Sequence, residues 1–230
     1  TINGIRVDAW SFGNATITGN GLHNLVDKGI QWVANPSSDL TVTENTIQFP
    51  DQTAAFPYTD AGIQILTPTN QANGFIRITD NQISNVKYGI SLEGPSSAVV
   101  ENNLIDGVTD NEGVLWSAPL AAAGVNLINT RFAKSINNTV EGDLVNPQTG
   151  GIALTNTAAT LLYSNDIHTV GDGIQINGAN APSSLAGNSV EGGMNGFHFR
   201  NNGVVGRIYF LSGNTGYDYR NAFHFNLSDA

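Results

Sequence analysis

Apolar residues return along this chain in two short alternations. The first is an aliphatic residue, two variable residues, Asn, one variable residue and a second aliphatic residue. It runs from Ile17 to Leu22, Val42 to Ile47, Ile78 to Ile83, Val100 to Ile105, Leu162 to Ile167 and Leu185 to Val190, with looser copies from Ser135 to Val140 and Leu211 to Gly216. The second is Gly, an apolar residue, a variable residue and another apolar one. It begins at Gly4, Gly29, Gly62, Gly89, Gly124, Gly151, Gly173 and Gly196, and a last copy begins at Ala222. Both alternate with period two, which predicts short strands and argues against helices.

Successive Gly-led copies lie 22 to 35 residues apart. A repeat of that length accommodates three short strands and three turns, one coil of a parallel solenoid whose strands pair with their counterparts one coil above and below. Asn is expected at a sharp bend, because it enters the left-handed conformation more readily than most other non-Gly residues. Stacked at one place in successive coils, Asn20, Asn45, Asn81, Asn103, Asn138, Asn165, Asn188 and Asn214 would form an internal ladder of amides, as Asn does in other stacked parallel sheets. The expected fold is therefore all-β: one parallel β-helix of about eight to nine coils with an Asn ladder, spanning residues 1–230 as one domain. Residues 1–3 and the five residues after Phe225 supply no capping helix. A solenoid end left open templates further strands, so the expectation is a slice of a longer chain or an end-stacking unit.

On these motifs, from Gly4 to Phe225, the chain resembles the right-handed parallel β-helix family of pectate-lyase-like proteins. The resemblance implies a right-handed coil, Gly-led segments in the first sheet, and the Asn ladder at the turn between the second and third sheets. It also implies a polysaccharide lyase or epimerase as one candidate activity. The chain carries no match to the Asp-Pro-His signature of alginate epimerases, and neither the Asp pairs of polygalacturonases nor the Arg sites of pectate lyases are recognisable.

Charge narrows the partners. The chain has 9 Lys plus Arg against 19 Asp plus Glu, a formal net charge of −10. No basic stripe exists for nucleic acid or an anionic membrane surface, and a neutral or weakly charged polysaccharide is favoured over a highly anionic one. There is no Cys, which excludes disulfides and thiolate metal sites and suits a bacterial or phage product at the cell or virion surface.

The Asn-to-Gly distance is 8 or 9 in most coils but grows to 17, 21 and 13 after Asn45, Asn103 and Asn138. Three insertions, Gln48 to Asp60, Asp106 to Ala123 and Glu141 to Gly150, therefore leave at one corner, and insertions gathered on one side usually mark the binding side. They carry Phe56, Tyr58 and Trp116, stiffened by Pro50, Pro57, Pro119 and Pro147. Such rings either stack on sugars or cover their own loops. Their acids Asp60, Asp106, Asp110, Glu112, Glu141 and Asp143 could supply a glycosidase carboxylate. Asp106, Asp110 and Glu112 make calcium conceivable, although no calcium loop motif is present; no cofactor is otherwise expected.

Side chains alternate along a strand, so the variable residue of each Gly-led segment points outward. Gln31, Gln64, Ser91 and Asn126 make a neutral amide-rich patch suited, with Tyr58 and Trp116, to a glycan. Farther along the same row lie Gln175, His198 and His224, with Arg200, Asn226 and Asp172 nearby. Three readings of this second patch stand open. His198, His224, Arg200 and Asp172 serve as base and charge neutraliser in an elimination or epimerisation at a uronate; they recognise an acidic sugar without chemistry; or two exposed histidines merely coincide in the repeat. The leading function is an extracellular glycan-binding or adhesive domain using the first-sheet face and its loops. The alternatives are a lyase or epimerase module and a structural spacer or filament unit with end-to-end self-association.

Overall fold

The computed structural model describes residues 4–9, 13–34, 39–50, 61–67, 72–108, 122–142, 149–169, 171–178, 183–201 and 209–227. Among them only β-structure occurs, and every strand pairing is parallel and runs from one coil to the next. The first sheet stacks the Gly-led strands Ile5–Ala9, Lys28–Ala34, Ala61–Leu66, Tyr88–Glu93, Ala122–Ile128, Thr149–Thr155 and Asp172–Asn177. The second sheet stacks eight strands, from Ala15–Thr18 through Pro95–Glu101 to Tyr209–Ser212. The third is made of short strands such as Thr46–Gln48, Gln82–Ser84, Leu104–Val108 and Thr139–Gly142. In the last coils the third and first sheets merge. Ser189–Asn201 and Thr215–Leu227 each run through the corner as one strand, Gly192 (φ 78°) and Gly193 (φ 119°) making the bend in the former.

The hydrophobic columns follow from the pattern. Ile30, Ile63, Ile90, Val125, Ile152, Ile174 and Phe197 stack in one interior column, and Ile47, Ile83, Ile105, Val140, Ile167 and Val190 in the facing one. All are essentially without solvent contact. Where these columns close on each other, only Gly fits at the head of the first-sheet strand. At Gly89 a Cβ would stand 2.5 Å from the Gly124 carbonyl oxygen and 2.5 Å from Ile105 Cγ2. Ala222 ends the column, with no further glycine carbonyl stacked on it among the described residues.

The Asn ladder forms with all eight members. Each side-chain amide donates to the Oδ1 of the next, from Asn20 to Asn45 (2.9 Å) through Asn81 to Asn103 (2.9 Å) to Asn188 to Asn214 (2.8 Å). The same Oδ1 also accepts the preceding Asn backbone N–H at 3.0 to 3.2 Å. Ser135, which stands where other coils carry an aliphatic residue, is buried because its hydroxyl donates to Asn165 Oδ1 and accepts from Asn138 Nδ2.

Two expectations are corrected. The left-handed residue at this turn precedes the ladder Asn: Gly19, Glu44, Asp80, Asn102, Asn137, Ser164, Gly187 and Gly213 have φ between 51° and 67°, and none of the eight ladder residues does. The ladder position selects Asn for its amide, which both donates and accepts, and the bend belongs to its neighbour. The insertions are also shorter than the spacing implied. Phe49 is a core residue, Asp106 to Val108 and Glu141 to Gly142 continue third-sheet strands, and Ala122, Ala123, Thr149 and Gly150 already belong to the first sheet. In all three coils these flanks leave the third sheet and enter the first.

Replacing Asn103 with Ala removes the acceptor of both the Asn81 N–H and the Asn81 side-chain amide; the expected loss is at least about 2 kcal/mol in urea unfolding. Gly89→Ala is expected to cost about 1–3 kcal/mol by overpacking, whereas Ala222→Gly should change stability by less than about 1 kcal/mol in the same measurement.

Candidate functional site

The outward row of the first sheet is in register through the stack: Gln31 beside Gln64, Gln64 beside Ser91, Ser91 beside Asn126, then Ala153, Gln175, His198 and His224. Adjacent members are about 4.8 Å apart along the axis. In the neutral half, Gln31 Nε2 donates to Gln64 Oε1 at 2.8 Å, and Gln64, Ser91 and Asn126 are half-buried, with Gln31 more so. Tyr58 and Trp116, with Phe56, Pro57, Pro119 and Pro147, lie outside the described residues, as do Asp60, Asp110, Glu112 and Asp143.

The other half is a buried polar cluster centred on Asp172. Its Oδ1 accepts from Asn195 Nδ2 at 2.7 Å; its Oδ2 accepts from Gln175 Nε2 at 2.8 Å and lies 2.6 Å from His198 Nδ1. Burial by itself pushes this carboxyl up, but the hydrogen bonds from His198, Asn195 and Gln175, with the attraction of a charged His198, outweigh it and hold Asp172 below its ordinary value of 3.8. An ionised carboxylate only accepts, so the proton of the His198–Asp172 bond sits on Nδ1. Nε2 is then the imidazole's remaining position; it is buried and has no hydrogen-bond partner.

His224 stacks on His198 with centroids 4.6 Å apart and rings 12° from parallel. Phe197 on Phe223 and Phe199 on Phe225 repeat the arrangement on either side. Tyr219 has a buried hydroxyl without a partner. Its phenol is pushed above its usual range, first by burial, then by the negative charges of Asp172 and Glu191, so it stays a neutral donor.

The structure thus joins Asp172, Gln175, His198 and His224, as their spacing suggested. It corrects the picture of two exposed histidines: His198 is 8% exposed and His224 half-buried, because Asp172 and the stacked ring cover the former. Arg200 is in register with Asn177 and Asn226 but makes no ion pair or side-chain hydrogen bond with another described residue. Asn195, Asn221 and Tyr219 went unnoticed in the sequence. Asn221 donates to Asn195 Oδ1 at 2.9 Å, extending the cluster. Asp172, Asn195 and Asn221 each immediately precede the head of a Gly-led segment and stack in register. That column holds Ala61, Tyr88 and Ala123 in earlier coils, so its switch to carboxylate and amides was a readable signal.

Asp106 and Glu141, expected in loops, stand in one outward row of the third sheet with His168 and Glu191. His168 lies 3.2 Å from Glu191 and 3.4 Å from Asp166. No group of three or more His, Asp or Glu arranged to hold a metal ion occurs among the described residues.

A family model described as a right-handed beta helix region matches residues 61–218, and the chain belongs to that family. The matched stretch covers about six turns, so the eight to nine coils counted from spacing slightly exceed what the match supports. No curated protein and no solved structure matches the chain.

Asp172→Asn leaves His198 and two amides without an ionised acceptor and is expected to cost about 1–3 kcal/mol at neutral pH. Because the folded carboxyl titrates below 3.8, the unfolded chain binds its proton first as pH falls. The stabilisation is complete above that value and is lost as pH drops through the lower, folded one. Urea unfolding should therefore show the gap between wild type and Asp172→Asn narrowing from neutral pH to about pH 3.

Proposed function

We propose that this chain is a glycan-binding solenoid of a cell or virion surface, holding a neutral or weakly charged saccharide along the outer face of its first sheet. The observation that carries this reading is the in-register row of Gln31, Gln64, Ser91 and Asn126. It offers uncharged donors and acceptors on a flat, parallel floor at a pitch of about 4.8 Å. A linear sugar chain lying along the axis meets amide, amide, hydroxyl and amide in turn. The net charge of −10 disfavours nucleic acid and anionic lipid at the same face.

The Asp172–His198 pair supports a second reading, proton transfer on a uronate as in a polysaccharide lyase or epimerase. A carboxylate 2.6 Å from Nδ1 fixes the imidazole's orientation and leaves Nε2 as the base, the arrangement general-base catalysis requires. Since Nε2 is buried under the present packing, this chemistry requires a rearrangement that uncovers it.

Binding to an array of uncharged glycans tests the first reading. Wild type is expected to bind, and the Gln31→Ala/Gln64→Ala double variant to bind about tenfold more weakly; an unaffected double variant would remove the first-sheet face from consideration. For the second reading, unsaturated or epimerised products from polyuronates should appear with wild type and vanish with His198→Ala. Their absence with wild type counts against it.

A further inference from the structure

We propose that the outer face of the second sheet is a separate binding site for an anionic glycan. This face forms an open groove of about 510 Å³ whose lining includes Phe75, Arg77, Phe132, Lys134, Ser184 and Phe210. Arg77, Val99, Lys134, Leu161, Ser184 and Phe210 follow one another in register, one per coil. Phe132 is 51% and Phe210 59% exposed.

Charge identifies the occupant. The chain has only nine Lys and Arg, yet Arg77 and Lys134 line this groove and Arg131 stands beside it against Phe132, all three exposed. None pairs with a described carboxylate. Arg77 lies 5.4 Å over the Phe75 ring and Arg131 5.4 Å over the Phe132 ring, so two guanidinium groups are held against aromatic faces at the site. No acid lines the groove. Asp39, whose Oδ1 accepts the Phe75 N–H at 2.6 Å, and Glu101, two residues beyond Val99 on the same strand, lie outside the lining. In a protein of net charge −10 this is a local inversion of the field that draws anions.

Shape selects a sugar chain over a folded acidic protein. The floor is a parallel sheet whose row runs cation, aliphatic, cation, aliphatic, hydroxyl and ring from Arg77 to Phe210. Exposed ring faces stack on pyranose faces, hydroxyls of Ser97 and Ser184 meet sugar hydroxyls, and carboxylate or sulfate groups take charge-assisted bonds from Arg77 and Lys134. These two cations are two coils apart, about 10 Å along the axis, so the ligand is a polymer bearing repeated anions.

The test is calorimetric titration of the full chain with an oligoglucuronate, with dextran sulfate and with uncharged dextran. Binding to either anionic chain at least about tenfold tighter than to dextran, weakened by added salt and lost in an Arg77→Gln/Lys134→Gln variant, is the expected result; the stronger arm identifies the anion. The Gln31→Ala/Gln64→Ala variant should bind the two anionic chains as wild type does, which separates this site from the first-sheet face. Equal binding of charged and uncharged chains, no binding, or an unaffected Arg77→Gln/Lys134→Gln variant would overturn the proposal. So would a dimer in sedimentation that this variant abolishes, since a second copy would then occupy the groove.

Discussion

The rest of the structure depends on one bond repeated seven times: the side-chain amide of one ladder Asn donating to the Oδ1 of the next. It lies inside the solenoid, where an unpaired amide is costly, and its geometry tolerates only one axial offset between coils. A slip of one residue in any coil would leave two amides unpaired and turn an apolar column outward. The glycine column imposes the matching constraint on the other side of the core, because it admits nothing larger between the first sheet and the third-sheet aliphatics. Ladder and glycines together hold both outward faces in register, and a row of side chains becomes a continuous track only under that condition.

Most of the scaffold was legible because its constraints are strict and repeat. The ladder Asn, the Gly heads and the inward aliphatics each occupy a site that few residues satisfy, so they recur visibly. The left-handed position was misread because several residue types enter it, here Gly, Asn, Asp, Glu and Ser, and it leaves no single-letter signature. The insertion limits were misread because a spacing counts residues without saying which still pair; Phe49 and Val108 look like loop residues until they are seen in the core.

The candidate sites were half legible for a related reason. Gln175, His198 and His224 stand in a row that alternation predicts. Tyr219 lies in a corner that became a continuous strand in the final coils, and no period announces it. Arg77, Arg131 and Lys134 are scattered in sequence and converge only because second-sheet strands from successive coils are neighbours. Average charge therefore hid a local excess of the opposite sign. The solenoid separates its chemistries by face: uncharged amides and an ionised Asp172 on the first sheet, cations with aromatic rings on the second, carboxylates on the third.

The ladder also has a direction. From Asn20 to Asn188 each side-chain amide donates to the Oδ1 of the higher-numbered coil, and from Asn45 onward it also donates to a backbone carbonyl of the lower-numbered one, so each coil engages both neighbours in a fixed sense. A duplicated coil spliced in anywhere would meet the same partners above and below, and a deleted one would let its neighbours join. Molecular length can thus change by whole-turn copy number without redesign of the interior, while a fractional turn would break the chain of amides. Such a fold is free to evolve its reach in quanta, independently of what its faces bind.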